Sequence, residues 1–97
     1  MRVFVQGAVW ELTVDGLTER DVAYNSSHLA LESAMDHIFE HDRCGQETNR
    51  WLTAPKPSRN HMLYTDIWYV DTIEGNRVIH WHVIQIRRIT VLSKPKF

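Results

Sequence analysis

The strongest constraint on the fold lies in the last third of the chain, where two apolar runs flank a short turn signal. The segment HMLYTDIWYVDTIEGNRVIHWHVIQIRRITVL is rich in β-branched and aromatic residues, and the dipeptide Gly75-Asn76 lies near its middle. Two such runs around a two-residue turn containing glycine predict a β-hairpin. With this dipeptide as the loop, we expect two cross-strand pairs of polar residues, Asp71 with His80 and Tyr69 with His82.

Alternation along the two predicted strands gives both faces of the hairpin an apolar character. The face expected to lie against a helix holds Met62, Trp68, Val70, Ile79, Trp81, Val83 and Ile89. The other face holds Leu63, Ile67, Ile73, Val78, Ile84 and Ile86, interrupted by Tyr69, Asp71, His80 and His82. Because one helix covers one face, we expect a second copy of the chain to cover the other.

The first quarter of the chain predicts another strand and a tight turn. Residues 2–14 are rich in Val, Phe, Trp and Thr, with Gly7 as a plausible bulge or bend. Asp15-Gly16 is a strong turn signal, and the segment LTERDVAY that follows predicts a weak returning strand at a sheet edge.

A helix is predicted over HLALESAMDHIFEH, after potential N-cap residues in Asn25-Ser26-Ser27. Its apolar stripe has helical spacing and consists of Leu31, Ala34, Met35 and Ile38. The stretch from Asp42 to Gly45 is expected to end the helix, with Gly45 at the first position beyond the C-cap.

Together these elements predict a single α+β domain over residues 1–97, a length that leaves no room for a second domain. We expect an antiparallel sheet of three to five strands, packed on one face by a single helix in the order β(β)αββ. The second sheet face would serve in oligomerisation. Residues 43–60 have no clear period, and in this long loop Trp51-Leu52 is expected to anchor the loop to the core or to form a lid.

Cysteine content and hydropathy predict the cellular compartment of the protein. Cys44 is the single cysteine, which excludes an intramolecular disulfide and favours a reducing, cytoplasmic environment. The N-terminal apolar stretch predicts a strand rather than a secretory signal, and no segment approaches transmembrane length. Arg43 could lower the pKa of the Cys44 thiol, although a lone cysteine after a helix is usually inert.

Charge is unevenly distributed along the chain. Residues 1–42 carry two basic and eight acidic side chains, whereas residues 43–97 carry nine basic and four acidic ones. A nucleic-acid partner is therefore one hypothesis, based on Arg87, Arg88, Lys94 and Lys96 after the aromatic strands. The chain lacks overall basicity and the signatures of common RNA-binding modules, so we expect the two halves to neutralise each other.

The stretch HIFEH, residues 37–41, matches the H-x-x-E-H pattern of the inverted zincin peptidases. His37 and His41 lie on one helix face and could both bind zinc, and Cys44 could add a ligand to a structural site. Catalytic zinc needs a third protein ligand and a substrate cleft, and nothing else of that pattern is present. The preferred interpretation is a solvated helix end, with no metal bound.

A second histidine cluster lies on the predicted hairpin. His80 and His82 share a strand face, and with Tyr69 and Asp71 opposite they would form a polar patch that binds a small molecule or lines an interface. An alternative is a small enzyme that uses the Asp71–His80 pair as its general base, with the 43–60 loop as a lid. With His61 added, the two histidines could also bind a transition metal.

The function favoured by these features is non-enzymatic. We expect a small cytoplasmic binding or interaction protein that forms a homo-oligomer, a dimer above all, with no membrane partner. Walker-type and Rossmann-type glycine motifs are absent, so we expect no nucleotide cofactor. In size and organisation, though not by any motif, the chain resembles small α+β proteins carried by phages, integron cassettes and other mobile elements.

Overall fold

The computed structural model describes residues 5–20, 22–60 and 62–93, which form one helix and six strands. The helix and the strands have the following bounds: β1 Val5–Val14, β2 Leu17–Thr18, α1 Ser27–His41, β3 Arg50–Leu52, β4 Lys56–Pro57, β5 Thr65–Glu74 and β6 Arg77–Ser93. Of the residues discussed above, His61, Lys94 and Lys96 lie outside the described ranges.

The six strands form one antiparallel sheet in the order β2-β1-β6-β5-β3, with β4 also pairing β5. Strand β6, seventeen residues long, lies between β1 and β5 and pairs with both. These features confirm the α+β class, the antiparallel sheet and the central C-terminal hairpin. The sheet has more strands than predicted because the 43–60 segment contributes β3 and β4 as short edge strands.

The register of the central hairpin differs from the prediction because β6 contains a bulge. The turn pairs are as expected, Glu74 with Arg77 and Ile73 with Val78, but the next pair joins Thr72 to His80. Ile79 is thus an extra residue on β6 without a partner, and all later pairs are displaced by one. The predicted pairing of Asp71 with His80 is wrong, as is that of Tyr69 with His82.

The one-residue displacement exchanges the two faces of β6 relative to β5. Helix α1 covers the β5 side chains predicted to face it, Trp68 and Val70, but on β6 it covers the set containing Ile84 and Ile86. Trp81, expected beneath the helix, is 82% exposed on the other side. The buried apolar core consists of Leu12, Ala30, Ala34, Ile38, Val70, Ile84 and Ile86.

Helix α1 begins and ends with defined capping interactions. Ser26 is the N-cap, and its Oγ accepts a hydrogen bond from the Leu29 amide at 3.1 Å, which confirms the predicted start. At the other end Arg43 takes a positive φ of 55°, and the amides of Arg43 and Cys44 donate to carbonyls of Glu40 and Phe39. This is a Schellman ending with arginine where glycine is usual, so the prediction that Gly45 fills that position is wrong.

Helix α1 contains fifteen residues. No helix within the described residues is long and apolar enough to cross a membrane.

The β1–β2 hairpin has the tight turn that its sequence predicts. Asp15 and Gly16 both have positive φ, 51° and 83°, as a two-residue type I′ turn requires. Gly7 pairs with Val91 inside an uninterrupted ladder, so the predicted bulge or bend at Gly7 is wrong. Strand β2 extends over two residues, as expected for a weak edge strand.

Candidate functional site

His82 is the centre of a partly buried ionic cluster between the helix, the first hairpin and β6. Its Nε2 donates to Asp42 Oδ2 at 2.7 Å, and its Nδ1 donates to Asp15 Oδ2 at 2.6 Å. The His82 side chain is 10% exposed and that of Asp42 is 4% exposed. Because both ring nitrogens donate to carboxylates, the geometry fits the protonated imidazolium form.

Asp42 is the C-cap of α1 and accepts hydrogen bonds from three side chains, those of His41, Thr72 and His82. Burial disfavours its charged form, but the hydrogen bonds from these side chains and the charge of His82 outweigh burial and lower the pKa of Asp42 to about 2. A carboxylate at a helix C-terminus also meets the negative end of the helix dipole. The imidazolium and hydroxyl donors therefore make an acidic residue possible at this position.

The pKa of His82 is set by the same opposing effects, burial on one side and hydrogen bonds and charge on the other. Burial acts to lower its pKa, but hydrogen bonds and opposite charges from Asp15 and Asp42 raise it above the ordinary value. With both nitrogens engaged by carboxylates, His82 has no free lone pair with which to accept a substrate proton. The cluster therefore has the chemistry of a structural ion pair and not that of a general base.

Asp15 attaches the first hairpin turn to the centre of the sheet. Its backbone amide donates to the Val83 carbonyl at 2.9 Å, and its Oδ1 accepts from the Val83 amide at 2.8 Å. The tight turn holds the carboxylate beside β6, where the second oxygen reaches His82. The backbone and side chain of Asp15 thus extend the contact with β6 into the turn, beyond the β1–β6 ladder that ends at Val14.

A cavity of about 290 Å³ opens beside the ionic cluster, between the C-terminal half of α1 and the β1–β2 hairpin. Its walls combine apolar, acidic and imidazole side chains: Val14, Asp15, Leu17, Thr18, Glu19, His37, Ile38, His41 and His82. Of the predicted binding residues, His82 lies at this cavity. The two histidines of the HIFEH motif lie there as well.

The bulge separates the other predicted binding residues. Tyr69 pairs with Val83 and Asp71 pairs with Trp81, so both side chains lie on the sheet face that α1 does not cover. His80 and His82 share the opposite, helix-covered face, with their ring centroids 6.2 Å apart. The polar patch expected from the sequence therefore does not form.

The two residues of the predicted anchor, Trp51 and Leu52, lie on opposite sides of the sheet. Leu52 packs against the core, whereas Trp51 pairs with Ile73 and is 48% exposed on the uncovered face. Trp51 therefore belongs to the same surface as Tyr69 and Trp81.

Among the described residues, no third ligand joins His37 and His41 to complete a metal site. The rings of His37 and His41 lie side by side with centroids 6.2 Å apart. Within the part of the chain that the structure describes, no three His, Cys, Asp or Glu side chains are gathered closely enough to hold a metal ion. Burial and the charge of Asp42 raise the pKa of the Cys44 thiol despite Arg50, so this cysteine lacks the activation that Arg43 suggested.

Three residues of the ionic cluster were not predicted as site residues: Asp15, Thr72 and Asp42. Asp15 was assigned to a turn, Asp42 to a helix end, and Thr72 to a strand. One signal was available for Asp42, because a carboxylate at a helix C-terminus is unfavourable without a cationic partner. The sequence alone does not identify that partner, since His82 lies forty residues further along the chain.

The face of the sheet opposite α1 carries a group of apolar side chains, which we call the open face: Trp51, Ile67, Tyr69, Ile73, Val78, Trp81 and Val83. The cross-strand pairs place these residues together on β3, β5 and β6. Tyr69, Val78 and Trp81 are 45%, 49% and 82% exposed. An apolar group of this kind is typical of an interaction surface.

Comparisons with protein-family models, with curated proteins and with solved structures gave no significant match.

Proposed function

We propose that this protein is a non-enzymatic interaction protein that works as a homodimer through its open face. The observation that carries the proposal is the exposure of large aromatic side chains on one side of the sheet, above all Trp81 at 82%. Tryptophan and tyrosine are enriched at the centres of protein interfaces because they bury large areas on association.

The size of the sheet fits a second copy of the chain. Strand β5 has ten residues, so at about 3.3 Å per residue it is roughly 33 Å long. Strands β1 and β5 pair with largely different stretches of β6, so the sheet is staggered, and its six strands together hold 44 residues. At a strand spacing of about 4.8 Å they give the whole face roughly 700 Å², close to the area of about 800 Å² that each partner buries in a standard interface.

The charges on this side of the sheet are also compatible with self-association. Glu11 on β1 lies directly opposite Arg87 on β6, and both side chains are on the uncovered side. Asp71 on β5 and Lys56 on β4, opposite Tyr69, lie on the same side, so the acidic and basic residues are equal in number and a second copy would not face a block of like charge. Two copies related by a twofold axis could pack their sheets face to face, as in a β-sandwich.

A second layer would also enlarge a small core. Among the described residues seven apolar side chains are buried, and two of these are alanines. Because a short chain buries a small fraction of its surface, association through the open face would add apolar burial that the monomer lacks. This supports a copy of the chain itself as the partner.

The alternatives proposed from the sequence have less support. The Asp71–His80 general base is not formed, because the two residues are neither paired nor on the same face. For nucleic acid, Arg87 and Arg88 are consecutive strand residues and so point to opposite faces, and Arg87 lies opposite Glu11. These two basic residues do not build one cationic surface.

The test is the mass in solution of the wild type and of two matched variants. We expect twice the chain mass of 11.4 kDa for the wild type by light scattering. Trp81→Glu should give the monomer mass, because a carboxylate would be buried without a partner at the interface. Phe39→Glu introduces the same charge on the exposed side of α1, where Phe39 is 41% exposed, and should remain dimeric.

A monomeric wild type would overturn the proposal. So would a Trp81→Glu variant that remains dimeric, or a Phe39→Glu variant that dissociates, since the latter would place the interface on the helix side. Circular dichroism of both variants distinguishes dissociation from unfolding.

A further inference from the structure

The cavity beside the His82 cluster lies on the helix side of the sheet, away from the open face. Its volume of about 290 Å³ is at the small end of ligand pockets, which suits a fragment-sized molecule. Val14, Leu17 and Ile38 provide apolar walls. The cavity therefore offers hydrophobic contact to a compact ligand body.

The charges around this cavity are predominantly negative. Asp15 and Glu19 line it from the hairpin, and Asp42 lies behind it, whereas His82 supplies the compensating positive charge. The last turn of α1 also contributes to the wall, and a helix C-terminus carries a partial negative charge. One imidazolium does not balance three carboxylates and the helix end.

Glu19 is the carboxylate with free binding capacity. Tyr24 donates its hydroxyl proton to Glu19 Oε2 at 2.7 Å, which orients the side chain. Within the described residues neither a hydrogen bond nor a salt bridge engages the other oxygen, Oε1. A ligand N–H donor at Oε1 would form a charge-assisted hydrogen bond in a half-buried environment.

Helix α1 contributes two imidazole rings to the cavity wall. His37 and His41 line the cavity from the helix, and their rings are tilted by 32° with centroids 6.2 Å apart. His41 Nδ1 is directed to Asp42 Oδ1 at 3.0 Å, which fixes that ring against the cluster. The two rings add aromatic surface to the cavity wall.

We propose that this cavity binds a small organic cation, in which a protonated primary amine contacts Glu19 Oε1 and a compact apolar group packs on Leu17 and Val14. An anionic ligand of the same shape would be repelled by the surrounding carboxylates. A neutral ligand would keep the apolar contacts and lose the charged hydrogen bond. The inference is independent of the proposed dimer, since the cavity lies on the opposite side of the sheet.

The test is an NMR titration of the ¹⁵N-labelled full chain with three ligands of matched shape: 2-phenylethylamine, 2-phenylethanol and phenylacetate. We expect the amine to bind at least tenfold more tightly than the alcohol, because a hydrogen bond between charged groups is stronger than one to a neutral hydroxyl. Phenylacetate should bind more weakly still. The shifted amide resonances should belong to Leu17, Glu19 and His37.

Three variants assign the contact. Glu19→Gln keeps an oxygen that can accept from Tyr24 and should weaken amine binding at least tenfold while leaving binding of the alcohol unchanged. Glu47→Gln removes the same charge from an exposed residue outside the cavity and should leave amine binding unchanged. Leu17→Ser, at a residue that is 79% exposed, should weaken the amine and the alcohol together.

Equal affinity for the amine and phenylacetate would overturn the proposal, as would a Glu19→Gln variant with unchanged amine affinity. Shifts confined to the open face would place the amine elsewhere and also overturn it. A response of the cavity resonances to Zn²⁺, with none to the amine, would replace the proposal with a metal site.

Discussion

At the scale of single residues, the His82 cluster explains how the chain tolerates a buried charge. Asp42 and His82 are both removed from water, a change that costs several kcal/mol for each ion unless the pair and its hydrogen bonds offset it. Thr72 and His41 occupy the further acceptor positions of Asp42. The cluster joins the helix end, the first turn and β6, so the loss of one member affects all three.

We therefore predict that His82→Ala lowers the free energy of unfolding by about 3 kcal/mol, because Asp42 would remain buried and charged without its cationic partner. Urea denaturation measures the change. His80→Ala, at an exposed position on the same strand, should stay within about 0.5 kcal/mol of the wild type. Equal effects for the two substitutions would show that the cluster contributes little.

The same cluster predicts the dependence of stability on pH. The pKa of His82 is raised in the folded state, so its contribution is complete below its ordinary value of 6.5 and is lost as pH rises through the raised value. The pKa of Asp42 is lowered to about 2, so its contribution is present above 3.8 and is lost as pH falls toward 2. We expect maximal stability between about pH 4 and 6.5.

Urea midpoints from about pH 2 to about pH 9, for the wild type and His82→Ala, check the prediction. The variant should lack the decline that the wild type shows as the pH rises above 6.5. If both proteins declined in parallel, another group would be responsible for the loss.

At the scale of elements, the helix C-terminus carries a conformational cost. Arg43 has a φ of 55°, a left-handed conformation in which glycine avoids the Cβ clash. The amides of Arg43 and Cys44 close the helix there, and the Arg50 guanidinium donates to the Asp42 carbonyl at 3.0 Å. The ionic cluster fixes the neighbouring residue Asp42. These contacts hold Arg43 in its left-handed conformation.

Arg43→Gly should therefore raise the free energy of unfolding by about 1 kcal/mol, the approximate cost of a left-handed conformation for a residue with a Cβ. Thermal or urea unfolding measures the gain. Arg59→Gly removes the same exposed side chain at a residue without positive φ and should be neutral or destabilising. Destabilisation by Arg43→Gly would mean that the arginine side chain contributes more than its backbone costs.

The turns and the helix start were predictable because local chemistry determines them. Asp15-Gly16 and Gly75 supply the positive φ of their turns, and Ser26 supplies the N-cap oxygen. The bulge at Ile79 was not predictable in this way, since Ile79 resembles the other β-branched residues of β6 and carries no turn or glycine signal. Its consequence is large, because each later side chain of β6 moves to the opposite face.

At the scale of the whole molecule, the described part of the chain is a thin slab, with principal extents of 62 × 28 × 18 Å. One helix on one sheet leaves the open face to solvent. If dimerisation covers that face, folding and association are linked through mass action. The urea midpoint of the wild type should then rise with protein concentration.

Trp81→Glu should show no such rise, because the monomer does not gain stability from association. Measurements at several concentrations, with Phe39→Glu as the matched control, test this point. A wild-type midpoint that is independent of concentration would contradict the homodimer.

The sequence by itself determined the α+β class, the helix and its N-cap, both tight turns and the central hairpin. Each of these depends on hydrophobic period or on the conformational preference of one or two residues. Only the tertiary structure decided which face of the sheet each β6 side chain occupies, and only it brought Asp15, Asp42 and His82 together. The physical reason is that the position of a bulge depends on how distant elements pack together. An ion pair between distant residues likewise forms only after the sheet has set their positions.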